Sequence, residues 1–262
     1  MENIIRLSVA LGVFSIMASW EWFRPRRTFD SPRRRRWPIN LGLALLNILV
    51  VRLSLGSIAY LSAVQAQQFG WGLLNITAIP KGLAVLITLL VLDVAIYAQH
   101  ILMHKWPLLW RLHQVHHTDI AFDATTAVRF HPFEIVLSLL IKVFFILLLG
   151  AEPLTVIAFE IILNAAATFN HSNVAISEKA DRFLRYLLVT PDMHRIHHSI
   201  VPAETDSNYG FSVSWWDRLF KTYMANPQQP QTSMPIGLAG YRDAEELRLL
   251  KLLALPFKKL RH

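Results

Sequence analysis

The hydrophobic residues of this chain are gathered into five apolar runs, at residues 4–20, 41–64, 82–98, 135–149 and 154–169. About 20 apolar residues are needed to cross the hydrocarbon core of a bilayer as a helix. The first three runs approach that length, while the last two are shorter and are joined by a Gly-Ala-Glu-Pro turn at 150–153, which predicts a helical hairpin. The pattern therefore predicts an all-α integral membrane helical bundle, with about three spans plus a hairpin at 135–169.

The chain shows no low-complexity linker that would separate domains, so we predict a single membrane-embedded unit over residues 1–262. Its first part, 1–99, holds the spans and a basic loop, and its middle part, 100–223, is rich in histidine. In the last part, 224–262, leucines alternate with lysines and arginines toward the end. That pattern predicts a basic tail at the membrane interface.

The charge pattern predicts the orientation in the membrane. Of the 262 residues 53% are hydrophobic and 17% charged, with a formal net charge of +8. Residues 24–36 contain seven arginines and one acidic residue. Because basic residues accumulate in cytoplasmic loops, we expect the N-terminus outside and the histidine-rich region in the cytosol. Nucleic-acid binding explains the charge less well, since the basic residues lie between and after membrane-scale apolar runs.

Histidine is distributed very unevenly: ten of the eleven lie between positions 100 and 198. They include a His-x3-His pair and two His-x2-His-His triads, and such a triad is expected by chance only about 0.02 times in a chain of this composition. Residues three and four apart share one face of a helix, so each group can direct its imidazoles at one point. The eight predicted metal ligands in these groups are His100, His104, His113, His116, His117, His194, His197 and His198.

Two further histidines, His131 and His171, have no neighbouring histidine but bracket the predicted hairpin. One imidazole would therefore stand at each of its ends, and we include both as predicted ligands.

Four polar residues near the histidines are candidates for orienting the ligands. Asp93 and Tyr97 lie on the same helical stripe as the first histidine pair, where a carboxylate can accept the second ring N–H of a ligand. Asp93 could instead make a helix-packing hydrogen bond or pair with Arg52. The other two candidates are Asn170 and Asp192, and Asp192 also favours the start of a helix before the last triad.

The number and type of ligands predict a binuclear site. The chain has no cysteine, which excludes disulfides, iron–sulfur clusters and thiolate zinc sites. One catalytic zinc takes three protein ligands, whereas eight to ten imidazoles suit two metals. The chain contains neither His-Glu-x-x-His nor Glu-x-x-His, the motifs of common metalloproteases and of soluble carboxylate di-iron bundles. Imidazole suits iron, copper, zinc and nickel alike, so spacing leaves the metal open.

At these residues the chain resembles the fatty acid hydroxylase and sterol desaturase superfamily, whose signature is three histidine boxes following membrane helices. The likeness extends over residues 93–223 and is strongest toward short bacterial members and the alkylglycerol monooxygenase branch. It includes segments 126–134, 170–172, 204–211 and 216–220, although Lys221 stands where the family pattern has glycine.

The resemblance implies an O2-dependent oxidoreductase with two iron ions, which hydroxylates or desaturates a C–H bond of a sterol, fatty acyl or ether lipid. It implies the histidines named above as iron ligands and an external electron donor. Membrane spans and cytosolic histidines then predict an integral protein of the bacterial inner membrane.

Three rival functions remain open at this point. A membrane zinc hydrolase could use the same histidines to activate water. A bis-histidine haem carrier is also compatible with helical spacing, although it would not use adjacent histidines. A metal transporter would be expected to place its ligands near the middle of the membrane instead.

Overall fold

A computed structural model describes residues 2–29, 31–55 and 57–259, which form helices and loops with only isolated β-bridges. Five stretches of this described part are long and apolar enough to span a membrane, which confirms the predicted all-α membrane bundle. Two short 3₁₀ helices, Ala124–Val128 and Leu255–Phe257, accompany the α-helices. In chain order the α-helices are α1 (Glu2–Phe23), α2 (Arg33–Ser54), α3 (Ile58–Phe69), α4 (Lys81–Lys105), α5 (Pro107–His117), α6 (Pro132–Leu149), α7 (Pro153–Asn170), α8 (Glu178–Leu184), α9 (Pro191–His197), α10 (Pro202–Thr205), α11 (Trp215–Leu219) and α12 (Leu249–Ala254).

The second predicted span, residues 41–64, is not one continuous helix. Helix α2 ends at Ser54 and α3 begins at Ile58, although both belong to one apolar stretch of 37 residues. A straight helix of that length would extend about 55 Å, nearly twice the thickness of the hydrocarbon core. The break lets α3 pack against α6 and α7. The apolar pattern continues through the break, so hydropathy alone could not locate it.

The predicted hairpin is formed by α6 and α7. Helix α6 is followed by Gly150, whose φ of 71° lies in the left-handed region that glycine adopts without strain. The loop after α3 pairs with this end of α6, where the amide of Leu73 donates to the carbonyl of Leu148 at 2.9 Å. A Cβ at Gly150 would also collide with the carbonyl of Trp71. Glycine is therefore required here by the backbone angle and by the packing.

The core of the membrane bundle lies between α3, α4, α6 and α7. Leu92 and Ile96 of α4 pack with Ile146 of α6 and Phe159 of α7, and all four are buried. The chain order makes α6 and α7 antiparallel, so that the C-terminal end of α4, the start of α6 and the end of α7 lie at the same end of the bundle. The histidine-rich segments begin there.

The arginine-rich loop has a structural role that sequence analysis did not predict. Arg36 is buried and makes a bidentate ion pair with Asp119, at 2.7 and 2.8 Å, while its remaining nitrogen donates to Asp123 at 2.7 Å. Arg26 pairs with Asp192 at 2.8 Å. The arginine-rich segment is thereby bound to the histidine-rich region by ion pairs with little exposure to solvent. Only its first part is a loop, because the last four arginines form the first turn of α2.

The tail folds onto the histidine-rich region and is more than a surface segment. Leu247, Leu252 and Leu255 are buried in one cluster with Leu43 of α2 and Val115 of α5. Other apolar side chains of the tail are exposed, among them Leu250 and Phe257, so its contact with a membrane surface stays a prediction. Its last residues, 260–262, lie outside the described residues.

Candidate metal centre

The predicted ligands converge at the end of the bundle where α4 and α7 terminate. The last two turns of α4 provide His100 and His104, while the end of α7 places His171 just beyond its last residue. Helices α5 and α9 provide the two triads. Helix α9 begins as expected, with Thr190 capping its first turn by accepting a hydrogen bond from the Met193 amide. One long helix, one hairpin helix and two short helices thus meet at one centre.

Nine histidines form two clusters whose ring nitrogens lie within 4.8 Å of one another in each cluster. In the larger cluster the Nε2 atoms of His100 and His113 are 3.1 Å apart. In the smaller cluster the Nε2 of His171 lies 3.1 Å from the Nε2 of both His116 and His194. The five-histidine cluster contains His100, His104, His113, His117 and His197, and the four-histidine cluster contains His116, His171, His194 and His198.

Each triad is divided between the two clusters, which differs from the expectation that a triad converges on one point. His113 and His117 face the five-histidine cluster, whereas His116 between them faces the other. In the last triad, His194 and His198 (positions i and i+4) belong to the four-histidine cluster. His197, at position i+3, belongs to the five-histidine cluster. On a helix, position i+3 points about 60° to one side of residue i, and position i+4 points about 40° to the other side. A triad lying between two points can therefore serve both.

Hydrogen bonds at Nδ1 fix the orientation of four of these rings. His100 donates to the carbonyl of Tyr209 at 2.7 Å, His171 to that of Ala167 at 2.8 Å and His197 to that of Ser207 at 2.8 Å. Since a carbonyl can only accept, Nδ1 carries the proton, and Nε2 presents a lone pair toward its cluster. Outer partners of this kind commonly orient metal-binding imidazoles.

The fourth orienting partner is Glu134, which the sequence analysis did not single out. Its Oε1 accepts the Nδ1 proton of His113 at 2.7 Å, and both side chains are almost fully buried. In the described part of the chain its Oε2 has no hydrogen-bond partner. The sequence did contain a signal for this residue. Proline at the first position of α6 marks a helix start, and Glu134 is the carboxylate in that first turn.

The arrangement of these buried ring nitrogens is more favourable with two bound cations than without them. Because Glu134 and the Tyr209 carbonyl each hold an Nδ1 proton, the two Nε2 lone pairs of His100 and His113 face each other at 3.1 Å. Two lone pairs at that separation repel unless a positive charge lies beside them. Among the described residues, neither ring nitrogen of His117 or His198 has a hydrogen-bond partner, although both rings are buried. Buried polar atoms in proteins are otherwise nearly always hydrogen-bonded.

Burial also disfavours the protonated form of several of these imidazoles, and metal ligands must be neutral. It lowers the pKa of His171 to about 4, against a weaker upward effect of the Ala167 carbonyl, and lowers the pKa of His197 to about 3. The pKa values of His116, His194 and His198 are also lowered by burial and by neighbouring imidazoles. Neutral nitrogen donors without thiolates suit iron, copper, zinc or nickel.

The structure does not bring His131 to either cluster. It is the N-cap of α6, where its Nδ1 accepts from the amide of Phe133 at 3.2 Å, and its Nε2 donates to the carbonyl of Leu253 at 3.2 Å. Its ring is thus directed toward the tail. His171 stands at the other end of the hairpin but turns inward, and local sequence gives the two histidines no feature that separates them.

The four polar candidates lie around the centre, and within the described part of the chain their side chains bond groups other than imidazoles. Asp93 accepts from the indole N–H of Trp216 at 2.8 Å, which agrees with the alternative of a packing hydrogen bond and not with pairing to a histidine or to Arg52. The Tyr97 hydroxyl bonds Thr222 at 2.7 Å. Asn170 donates to the carbonyl of Phe211 at 2.8 Å, and Asp192 pairs with Arg26 and Arg195. These contacts secure the loops that carry the histidine partners.

A second residue missed from sequence, Asp217, holds one such loop. Its two carboxylate oxygens accept from the amides of Tyr209 at 2.8 Å and Gly210 at 2.9 Å. The Tyr209 carbonyl then receives the proton of His100. Asp217 therefore acts on the centre through the backbone.

A cavity of about 150 Å³ opens beside the five-histidine cluster. His100, His113 and Glu134 lie at one side of it, and most of its other walls are apolar, including Ile96 and Phe211. The cavity extends between α4, α6 and α7, toward the part of the bundle that crosses the membrane. An aliphatic group entering from the bilayer could reach the histidines there.

Comparison with known proteins adds an independent result. The fatty acid hydroxylase family profile matches residues 85–222, a region that includes every histidine of both clusters. The chain belongs to the fatty acid hydroxylase family. The fatty acid hydroxylase region starts within α4 and ends just after α11, which leaves the first three helices and the tail outside the match.

Three relatives illustrate the range of this family. Ornithine lipid hydroxylase OlsE of Rhizobium tropici is 32% identical over 165 residues, covering 62% of this chain and 47% of that protein. Alkylglycerol monooxygenase of Xenopus tropicalis is 29% identical over 55% of this chain and 31% of that protein. Cholesterol 25-hydroxylase of Rattus norvegicus is 27% identical over 55% of this chain and 47% of that protein.

The predicted family resemblance is confirmed by these matches. The aligned part of the chain spans about half the length of these relatives or less. No solved structure matches the chain.

Proposed function

We propose that this chain is a membrane-bound lipid hydroxylase that uses two iron ions, O2 and external electrons to oxidise a C–H bond of a lipid. The observation that carries the proposal is the pair of buried histidine clusters, in which several ring nitrogens have no hydrogen-bond partner in the described part of the chain. Nine imidazoles exceed what one metal ion takes from a protein, and two adjacent groups suit a binuclear centre. Oxygenation leading to desaturation or ether cleavage would use the same centre.

The choice of iron rests on the family, because imidazole alone leaves several metals open. The relatives described above are named hydroxylases or a monooxygenase, with ornithine lipid, alkylglycerol and cholesterol in their names. Those names denote oxidation of lipids, which fits iron better than a zinc hydrolase. When bound, the iron pair supplies the O2 chemistry that an unactivated C–H bond requires.

The proposed ligands are the nine clustered histidines, and His131 is left out of the set. The five-histidine cluster would hold one ion and the four-histidine cluster the other. Glu134 and the carbonyls of Tyr209, Ala167 and Ser207 retain the Nδ1 protons, so that Nε2 remains available. The carboxylate of Glu134 would also offset part of the charge of the bound ion.

The residues around the centre exclude water and admit an alkyl chain. Phe130 stacks on His116 with ring centroids 4.4 Å apart, and Phe122 lies 5.0 Å from His198. These rings cover the four-histidine cluster, while the apolar cavity adjoins the other one. We propose that the target C–H bond is presented through this cavity, where water cannot compete for the oxidising site.

We further propose an integral protein of the bacterial inner membrane with the histidine centre facing the cytosol. The ion pairs of Arg26 and Arg36 hold the basic loop on the same end of the bundle as the histidines. Basic loops accumulate on the cytoplasmic side. A separate donor protein or reductant in the cytosol would then supply the electrons.

Metal analysis of the full chain, purified in detergent after iron-replete growth, tests the proposal. We expect about two irons per chain, O2 consumption with added lipid extract, and one lipid accumulating in cells that lack the protein. One zinc per chain and turnover without O2 would overturn it.

Two adjacent histidines give a sharper test of the binuclear arrangement. We expect His116→Ala to lose the iron of the four-histidine cluster and to retain about one iron per chain. His117→Ala should instead weaken the other site while the four-histidine cluster stays loaded. His131→Ala is the matched control and should retain both irons. Equal loss of all iron in both cluster variants would contradict two separate ligand sets.

A further inference from the structure

Three ionisable residues meet inside the membrane-spanning part of the bundle, away from the histidines. Glu160 of α7 accepts from Arg6 of α1 at 2.5 Å and also pairs with Lys142 of α6. Their side chains are 9%, 21% and 15% exposed, respectively. Charged groups among membrane helices are unfavourable and normally face a functional pathway. This triad, Arg6, Lys142 and Glu160, therefore requires an explanation beyond helix packing.

The triad lines a cavity that adjoins the cavity beside the metal centre. This second cavity has a volume of about 290 Å³ and contains all three ionisable side chains in its walls. It shares five lining residues with the cavity beside the five-histidine cluster, namely Ile96, Ile135, Ser138, Leu163 and Asn164. The two spaces are therefore adjacent, with histidines lining one and charges lining the other, and we refer to them together as the passage.

The passage also approaches the lipid-facing side of the bundle. A third space of about 460 Å³ shares Arg6, Val51, Ser57 and Ile135 with the second one and lies along the last turns of α2. A lipid in the bilayer could enter between α2 and α6 without leaving the membrane.

Lys142 offers more hydrogen-bond donors than its neighbours use. An ammonium group carries three N–H donors, and in the described part of the chain Glu160 is the one hydrogen-bond acceptor recorded for it. The remaining donors adjoin the cavity that Lys142 lines. An oxyanion, such as a carboxylate or a phosphate, would satisfy them.

We propose that Lys142, with Arg6 and Glu160 beside it, binds the oxyanionic polar group of a long-chain lipid whose alkyl chain extends through the passage to the metal centre. The inference deepens the proposed function, on which it rests, by assigning the substrate class. Lys142 follows Glu134 by eight residues on α6, which corresponds to about 12 Å of helix rise. The oxidised carbon would therefore lie about that far from the polar group, in the interior of the chain.

Binding of three probes to the detergent-solubilised, iron-loaded full chain tests this inference. The probes are palmitate, 1-palmitoyl lysophosphatidate and hexadecan-1-ol, which share an alkyl chain and differ in the polar group. Competition against tritiated palmitate gives their dissociation constants. We expect at least one oxyanionic probe to bind more tightly than the alcohol, and the tighter of the two identifies a free acid or a phosphate ester as the source.

Variants of the triad separate an oxyanion site from a structural ion cluster. Lys142→Gln should weaken the oxyanionic probe by roughly 10- to 100-fold and leave the alcohol unchanged, while Lys142→Arg should retain binding. Glu160→Gln should strengthen oxyanion binding, because it removes the competing carboxylate. Lys81→Gln is the matched control, since Lys81 pairs with Glu152 at the hairpin tip, at 2.9 Å and outside the passage.

Several outcomes would overturn the inference. These are equal binding of all three probes to the unaltered chain, equal weakening of all three in Lys142→Gln, or weaker oxyanion binding in Glu160→Gln. Iron content is measured on every variant. If the chain binds two irons and turns over lipid but shows no preference for oxyanionic probes, only the oxyanion site is refuted. If it binds oxyanionic probes selectively but binds no iron, the proposed function is refuted and the oxyanion site is supported.

Discussion

Replacement of Glu134 tests whether the buried carboxylate strengthens the metal centre through His113. In Glu134→Gln the amide oxygen can still accept the Nδ1 proton, but the negative charge is lost. In Glu134→Ala the acceptor is lost as well. Metal-binding imidazoles that lose an outer partner commonly bind about 10- to 100-fold less tightly, which is about 1.4 to 2.8 kcal/mol. Because the carboxylate lies 2.7 Å from the ring nitrogen and both are buried, we expect Gln near the lower end and Ala near the upper end.

The assay is stepwise removal of iron by a competing chelator, followed by metal analysis. His113 belongs to the five-histidine cluster, so iron should leave that cluster at a lower chelator concentration. Iron in the four-histidine cluster should leave at the same concentration as in the unaltered chain. A two-step curve with only its first step displaced is the expected result.

Asp93→Asn provides the matched control, because Asp93 is a buried carboxylate of the same bundle that bonds Trp216 rather than a histidine, and the asparagine oxygen can still accept that indole N–H. It should give the unaltered curve. Unchanged affinity in both Glu134 variants would refute the role of the carboxylate. Displacement of both steps, or the same loss in Asp93→Asn, would show a general effect on folding instead.

Three further predictions concern stability. His131→Ala should lower the free energy of unfolding by about 1 kcal/mol through loss of the N-cap of α6, and His131→Asn should restore it, in thermal melts at equal iron content. Chelation should lower the melting temperature, because metal binds the folded chain; an unchanged melting temperature would argue against a bound metal. Burial raises the pKa of Asp217 from 3.8 to about 6, so the folded state binds a proton that the unfolded state does not bind between those pH values. The resulting stabilisation of the folded state is about 3 kcal/mol at most. It is complete below pH 3.8 and is lost as the pH rises through about 6. In metal-free protein, the Asp217→Asn variant should lack this pH dependence of the free energy of unfolding.

Much of the fold and many of the candidate ligands were accessible from sequence because they depend on local properties. The length of an apolar run decides whether a helix can span a bilayer, and this predicted the bundle and the hairpin. The spacing of His113, His116 and His117 places their side chains on one helical side, and the same holds for the last triad. In the structure, the eight histidines of the pair and the two triads lie close to one another, and His171 joins them.

What the sequence could not decide depends on how helices meet in space. His131 and His171 both lie at ends of the hairpin. The ring of His131 contacts the tail, whereas the ring of His171 lies in the four-histidine cluster. Spacing suggested Asp93 as the orienting carboxylate, whereas the crossing of α5 and α6 gives that position to Glu134. Sequence determined which residues could bind metal, because helical periodicity is local. Only tertiary packing decided which ring faces which cluster, because that depends on the relative positions of α4, α5, α7 and α9.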